Sequence, residues 1–459
     1  MSQADTSRTL TSSTLPLTLP QLDFWEEFTF HPDEPIATVA HCLDIDGVAD
    51  ERALVAAITQ TIAESDVLCV RFHVEPGRGT PLQSCDPQLR PSLRQFDLRD
   101  FADAAREARA RMEADVAAPL DLRGEGLSEF WLLRLGERRY LWYIRAHHII
   151  LDGYGFALIE QRCGQLYSQR LAGGEAGPAF HPFASFIAEE EAYRASRRHE
   201  SDRGYWRDQF AAYAALPVLH RGDKDASEPP HEVYGVLSAE VSEGLRRLAL
   251  QVDIGWPDLL VLLSGLYLSR SLLRQQSEGR EILPIWLPFM SRWGSVAAHM
   301  PAMVVNILPF HLSYGPDESL EDILRANAAT LRTQRRHGRY RIEQIAMDNG
   351  MPEGSRYFFS PLINVLPFSA PVFHGCAVTR EILGSGQGEG IDLTFRGQDD
   401  GSGLSFAMSA DPAMFAREPF ERHGRELPAF LEQALATEAL MRPIAELLDE
   451  QREDTLSPV

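Results

Sequence analysis

Between Tyr140 and Tyr167 the apolar residues change their period, and the change falls on seven residues: His147, His148, Ile149, Ile150, Leu151, Asp152 and Gly153. Tyr140 to Ile144 reads as a strand leaving the turn at Gly136-Glu137, with FWLLRL at 130–135 as its hairpin partner. Beyond Gly153, the residues Phe156, Ile159, Cys163, Leu166 and Tyr167 recur at helical spacing. The histidines therefore lie where a strand gives way to a helix. Successive strand residues face opposite sides, so one imidazole points easily into a given cavity and the other serves the structure.

Three other readings stand beside catalysis. Asp152 has the chemistry of an N-cap for the helix that follows. The two histidines can form a hydrogen-bonded pair in the core. A metal site is the third reading, but the chain has no HExxH, no CxxC and no second His/Asp cluster at ligand spacing, so no metal is expected.

Composition narrows the class. At 459 residues the chain is long enough for two domains, each with its own core. A formal charge of −22 argues against a nucleic-acid partner, because phosphate binding needs a basic surface. The five cysteines, Cys42, Cys69, Cys85, Cys163 and Cys376, are scattered and odd in number, which fits a reducing, cytoplasmic compartment. The N-terminus lacks the charged-then-apolar order of a signal peptide. The most apolar run, Leu259 to Leu268, is too short for a bilayer and reads as a buried helix with Pro257 in its first turn, so no membrane partner is expected.

The string HHxxxDG resembles the signature of the condensation domains of nonribosomal peptide synthetases (NRPS), within the superfamily that includes chloramphenicol acetyltransferase. Further stretches carry the resemblance in order. LPLTLPQLDFWEEF at 15–28 is similar to the opening motif, with Gln21 and Trp25 in matching places; by itself it is a short amphipathic helix packing Leu22 and Trp25. ESDVLCVRF at 64–72 is similar to the second motif, except that Cys69 stands where the family has an arginine and Arg71 follows two residues later. In the family an arginine of this region pairs with the signature aspartate. Residues two apart in a strand share a face, so Arg71 is a candidate partner for Asp152. A buried aspartate needs such a cation or a set of donors.

The stretch 178–210 resembles the fourth motif and the helix ending in YW; by its charges it is one long solvated helix. The following segment, about 211–232, is linker-like, above all at HRGDKDASEPPHE. PFMSRWGSVAAHMPAMVVNILPFHL at 288–312 resembles the fifth-motif region, and its Arg292, Asn306 and Pro309 match the N-terminal condensation domain of the enterobactin synthetase. LRTQRRHGRYRIEQI at 331–345 places His337 and Tyr340 as in the sixth motif, and RYFFSPLINVLPF at 356–368 resembles the seventh. HGRE at 423–426 is similar to a motif of epimerization domains but falls in the last amphipathic helix, so it is set aside. GSGQGEG at 384–390 is not a dinucleotide-binding pattern and reads as a flexible loop or lid.

The resemblance implies an α/β fold: two chloramphenicol-acetyltransferase-like subdomains forming a V-shaped pseudo-dimer with a central tunnel. After a disordered N-terminus at 1–14, the first would span 15–177 and carry HHxxxDG, a helical connection would span 178–221, and the second would span 222–459 with a crossover or lid near 370–410. The implied activity is amide formation between a donor acyl thioester and the amine of an acceptor aminoacyl thioester. Both would ride on the 4'-phosphopantetheine of carrier proteins, in nonribosomal peptide assembly of which siderophore assembly is one type, with no cofactor bound to the chain.

His148 would take the proton of the attacking amine or hold the amine in line, His147 and Asp152 would be structural, and Gly153 would allow close approach of the backbone to substrate. Arg292 would line the tunnel or anchor a surface, with Arg71 and Asn306 in support. The arginines Arg332, Arg335, Arg336, Arg339 and Arg341 read as a solvated face or as a dock for an acidic carrier. With the first motif starting near residue 15 and the chain ending soon after its final helix, the donor carrier is expected in trans, whether the chain is free-standing or a piece of a synthetase. Two alternatives remain: an ester-forming or soluble-acceptor acyltransferase, including one using coenzyme A, and a non-catalytic carrier-recruiting domain, kept open by Cys69.

Overall fold

The computed structural model describes residues 14–74, 80–124, 126–223, 229–272, 274–277, 279–386 and 388–449. The disorder expected for the N-terminus lies, for residues 1–13, outside the described residues, as do 224–228 of the expected linker and Gln387 of the glycine-rich run. In chain order the first part holds β1 (Leu15–Pro16), α1 (Leu19–Phe30), β2 (Thr38–Asp46), α2 (Glu51–Glu64), β3 (Val70–His73), β4 (Leu82–Cys85), β5 (Leu93–Asp97), α3 (Ala104–Val116), β6 (Ser128–Arg134), β7 (Arg139–His147), α4 (Gly153–Ala172) and α5 (Phe183–Arg194). There follow α6 (Arg197–Ala212), β8 (Val218–His220), β9 (His231–Val236), α7 (Ala239–Val252), α8 (Trp256–Leu268), β10 (Gln275–Ser277), β11 (Arg280–Phe289), β12 (Asn306–Tyr314), α9 (Leu320–Arg336) and α10 (Ile342–Asp348). The chain closes with β13 (Ser355–Tyr357), β14 (Leu362–Pro367), β15 (Ala377–Ser385), β16 (Ile391–Gly397), β17 (Ser405–Ala410), α11 (Arg417–Ala434) and α12 (Ile444–Asp449).

These elements form two compact units of mixed α/β structure. One takes in Met1–Ala192 together with the later segments Arg292–Val304 and Pro371–Gly386; the other takes in Tyr193–Ser291, Val305–Ala370 and Gln387–Val459. The first unit is built on a sheet of order β15-β2-β7-β6-β5. Its central strand β7 is buried on both faces: Tyr140, Trp142, Ile144 and Ala146 enter one core with β2 residues Leu43 and Ile45, whereas Leu141 and Tyr143 enter another with Ala40 and Cys42. This double burial explains why β7 reads as a continuous apolar run rather than an alternation.

Helices complete the first core by their caps and apolar stripes. Asp50 accepts from Ala53 N at 3.1 Å to start α2, whose Leu54, Ile58 and Ile62 are buried. Phe156, Ile159, Cys163, Leu166 and Tyr167 of α4 are all buried, as their period predicts. On α1, Gln21 and Thr18 form a capping box, Gln21 reaches Gln83 of β4 at 2.9 Å, and Trp25 packs on Phe28 and Phe72.

The second unit centres on a sheet of order β10-β11-β14-β16-β17-β9, with β12 on β11. Helix α8 is buried from Asp258 to Leu268 and ends there, where the apolar run Leu259 to Leu268 ends. Ser269 stops it by bonding its hydroxyl to Leu266 O and to the Tyr314 hydroxyl. The single long helix expected across 178–210 is two helices, because the Ser196 hydroxyl accepts from His199 N and starts α6 afresh. His423 of the HGRE string lies in α11, with α12 still to come, and is buried against the Tyr267 hydroxyl. The glycine-rich run is not all loop, since Gly384 and Ser385 close β15. Among the described residues no single helix is long and apolar enough to cross a membrane.

Candidate active site

Strand β7 ends at His147, and a turn carries the chain to Asp152, the N-cap of α4. Ile149, Ile150 and Leu151 are fully buried and anchor that turn in the core. His147 N donates to Leu127 O at 2.9 Å and His148 N to Ala37 O at 2.7 Å, so neighbouring chain on both sides fixes the backbone of the pair.

The two imidazoles live in different surroundings. His147 is buried, and its Nδ1 accepts the Ile149 N–H at 3.0 Å, which leaves the ring proton on Nε2. Burial, with a smaller contribution from His148, pushes its pKa down to about 3. His148 is half-buried and stacks on Phe24 of α1, ring centroids 5.2 Å apart and 19° between planes. Burial also lowers its pKa; the charge of Asp152 and the carbonyls of His148 and Leu151 oppose the shift without cancelling it. At neutral pH both rings are therefore uncharged, and His148 is the one with an open side.

Asp152 is buried and fully engaged. It accepts from Gly155 N at 2.8 Å, from Val304 N at 3.0 Å, and from Nη2 of Arg292 at 2.8 Å on each oxygen. Burial alone would raise its pKa, but the Arg292 charge and these hydrogen bonds outweigh burial and hold it below the ordinary carboxylate value. Arg292 also donates to the carbonyls of Ala297, Met300 and Ala302 at 2.5, 2.8 and 2.8 Å, and its guanidinium lies 4.9 Å from the Tyr154 ring centre.

These contacts revise two sequence expectations. The cation on Asp152 is Arg292; Arg71 sits on β3 across from Ser84. Arg292 is 3% exposed and anchors no surface. It is held as a structural tie, because one carboxylate and three carbonyls engage both of its terminal nitrogens.

Two glycines near the turn differ. A Cβ at Gly153 would meet nothing within 4 Å, whereas one at Gly155 would lie 3.1 Å from Leu151 Cδ2 and 3.2 Å from Ala302 N. Gly155 is thus the glycine that packing inside the protein demands, and Gly153 borders open space.

The remaining sequence candidates lie in the second unit. Asn306 is buried, donating to the carbonyls of Gly338 and Tyr340 at 3.0 Å and accepting from Ile342 N at 3.1 Å, so it holds the turn after α9. Arg335 pairs with Asp258, Arg332 donates to Asp253 O at 2.9 Å, Arg339 stacks over Tyr193 at 4.5 Å, Arg341 pairs with Glu343, and Arg336 is exposed. Sequence reasoning missed Phe24 and a buried cluster of His41, Glu160 and Arg380. The only signal for the cluster was one carboxylate on the apolar stripe of α4. Among the described residues, no group of three or more His, Cys, Asp or Glu is arranged to hold a metal.

A family model described as "Condensation domain" matches residues 11–456. Similar proteins include a dimodular nonribosomal peptide synthase of Bacillus subtilis, 29% identical over 96% of this chain and 18% of its own length. Enterobactin synthase component F of Escherichia coli O157:H7 is 29% identical over 94% of this chain and 33% of its own. The chain thus spans a third or less of the length of these relatives. Among solved structures, VibH, an NRPS condensation enzyme, is 34% identical with a TM-score of 0.82, covering 94% of this chain and 100% of VibH.

Breaking a buried ion pair from one side leaves an uncompensated charge, so Asp152→Ala or Arg292→Ala should each cost about 3–5 kcal/mol in urea unfolding at pH 7. The double variant Asp152→Leu/Arg292→Met should lose less than either; equal or larger loss would refute the pairing. Because the Asp152 pKa is depressed on folding, its stabilisation is complete above the unfolded value and disappears as pH falls through the lowered folded value. Gly155→Ala should destabilise by about 1–3 kcal/mol through overpacking, whereas Gly153→Ala should change stability by no more than about 0.5 kcal/mol.

Proposed function

Because the chain belongs to the condensation-domain family, we propose that it joins a donor acyl thioester to the amine of an acceptor aminoacyl thioester, both borne by phosphopantetheine arms of carrier proteins. The amine nitrogen attacks the thioester carbonyl, the C–N bond forms, the C–S bond breaks, and the donor arm leaves as a thiol. The reaction releases one proton from nitrogen and supplies one to sulfur. His148 is the group suited to handle it.

The observation that carries this reading is the contrast between the two imidazoles. His147 has its Nδ1 bound to a backbone amide inside the core; His148, beside it, is uncharged, half-open and steadied by Phe24. An uncharged imidazole accepts a proton, and its lowered pKa keeps it competent below the ordinary histidine range. General-base help is typically worth about 10²–10⁴-fold, whereas orienting two tethered reactants contributes roughly 7–11 kcal/mol. Holding the amine in line is therefore the larger part of the work. Exposed Arg336 and the end of α9 offer positive charge in a chain of −22, suited to an acidic carrier. Likeness to enterobactin synthase component F favours siderophore-type assembly.

Mixing the chain with an acyl-loaded donor carrier and an aminoacyl-loaded acceptor carrier, and following intact masses, tests the reading. Acyl mass should move to the acceptor, and His148→Ala should slow single-turnover transfer about 10²–10⁴-fold. An unchanged rate would remove His148 from the mechanism, and transfer only to free amines or alcohols would replace carrier-bound acceptors with soluble ones. After correction for titration of the acceptor amine, the rate should fall on acidification with a midpoint below the ordinary histidine value of about 6.5, since His148 loses its neutral form there. A fall centred at or above pH 6.5 contradicts the assigned environment.

A further inference from the structure

Helix α4 carries a second buried carboxylate. Glu160, about two turns beyond Asp152, has no solvent-accessible surface. One oxygen lies 2.7 Å from Nδ1 of His41 on β2; the other accepts from Nε of Arg380 on β15 at 2.7 Å, with Nη2 at 2.5 Å. The His41 ring packs on Phe156, centroids 4.3 Å apart. Burial pushes the Glu160 pKa up, but His41 and Arg380 outweigh burial and hold it below the ordinary value. Replacing buried ion pairs with apolar side chains of similar volume is often neutral or stabilising, so burial of three polar groups here is weak evidence for a purely stabilising role.

Two features connect this cluster to His148. The first is electrostatic: His41 is near enough to act on the His148 imidazole directly. The second is mechanical. From Arg380 the chain runs on through the end of β15 to Gly386, whose N–H donates to Thr38 O at 3.1 Å, and Thr38 is the ladder partner of His147. A Cβ on Gly386 would stand 3.9 Å from His148 Cδ2 and 3.6 Å from Ile36 O, so the Gly386 backbone borders the ring edge. Strand β15 is an edge strand on β2, and its register shifts between Ile382 and Gly384. Ladder pairing across such an irregularity does not by itself fix where the strand ends. Arg380, which lies before the shift, supplies a fixed point.

We propose that Glu160 is a positioning residue for His148: by holding Arg380 and His41 it sets the seating of β15, and through it the Gly386 backbone that bounds the imidazole. The role rests on His148 being the reacting imidazole, and the test separates the two ideas.

Glu160→Gln, Arg380→Gln and the double Gln/Gln variant are compared with the parent and with His148→Ala, all below their melting temperatures. Three quantities are read: kcat and KM of acyl transfer, the rate at which diethyl pyrocarbonate modifies His148 without substrate, and hydrogen exchange of the peptide 380–386. Each single variant should lower kcat about 10-fold or more with KM nearly unchanged, since small misplacements of a reacting group cost that much. Each should also speed His148 modification and exchange of the peptide several-fold. In the double variant the two amides can bond each other, and all three readouts should return most of the way to the parent, a coupling that independent sites would not show. If a single variant does not fold, Arg380→Lys, which keeps the charge and loses the fork, takes its place and should likewise lower kcat with KM nearly unchanged.

Folded single variants with parental kcat would overturn the proposal and leave the cluster as a stability element. Raised KM with unchanged kcat would also overturn it, by placing the cluster in substrate binding. Should the parent transfer no acyl group at all, the condensation reading fails, and the modification rate of His148 still decides: no change in the single variants removes the positioning role.

Discussion

A carboxylate sealed in a protein core has to be matched donor for donor, and Asp152 meets that demand with two backbone amides and one guanidinium. Two of these partners, Arg292 and Val304, come from a segment about 140 residues further along the chain. The match does more than cancel a charge. Since Asp152 is also the N-cap of α4, pinning its side chain pins the first turn of the helix, and the close contact of Gly155 with Ala302 packs the same segment against that turn. The strand-to-helix turn carrying both histidines is thereby fixed from below by a distant part of the sequence.

Once the turn is fixed, the pair divides its tasks by burial. His147, the last residue of β7, faces inward and spends Nδ1 on the turn it belongs to. His148 has left the ladder, so its ring is free to follow the turn outward against Phe24. Low polarity around both rings disfavours the imidazolium form, and that is useful at His148, where a proton acceptor is needed, and harmless at His147, where only shape and one hydrogen bond matter. One physical cause thus serves chemistry at one residue and packing at its neighbour.

Local patterns made much of this legible. The change of period at 140–167, the Asp152 cap and the buried run 259–268 are consequences of residue type and spacing, and these are what a sequence displays. Failures came where a distant group or a single hydroxyl decided the outcome. Arg71 was the nearer candidate for Asp152, but no rule of periodicity could select Arg292 across 140 intervening positions. Ser196 broke a helix whose charges run on unchanged through the break, because one capping bond outweighs a pattern of solvated residues. Gly153 drew attention as part of the signature, while Gly155, which lies under Ala302, could be recognised only with the later segment in place.

The same helix shows one device used twice. Asp152 and Glu160 are carboxylates buried on α4, and each is met by an arginine from late in the chain, Arg292 and Arg380, at separations of 140 and 220 residues. Such contacts carry a high loop-closure cost and form late relative to local structure. Until both late segments dock, the two buried carboxylates of α4 would lack their arginine partners. The sheet and helices of the first unit can condense from their own apolar faces, but the fine placement of the histidine turn waits for residues 292–304 and 371–386. A fold organised in this way couples an ordered site to docking of these two late segments, because the groups that complete it are far from it in sequence and adjacent in space.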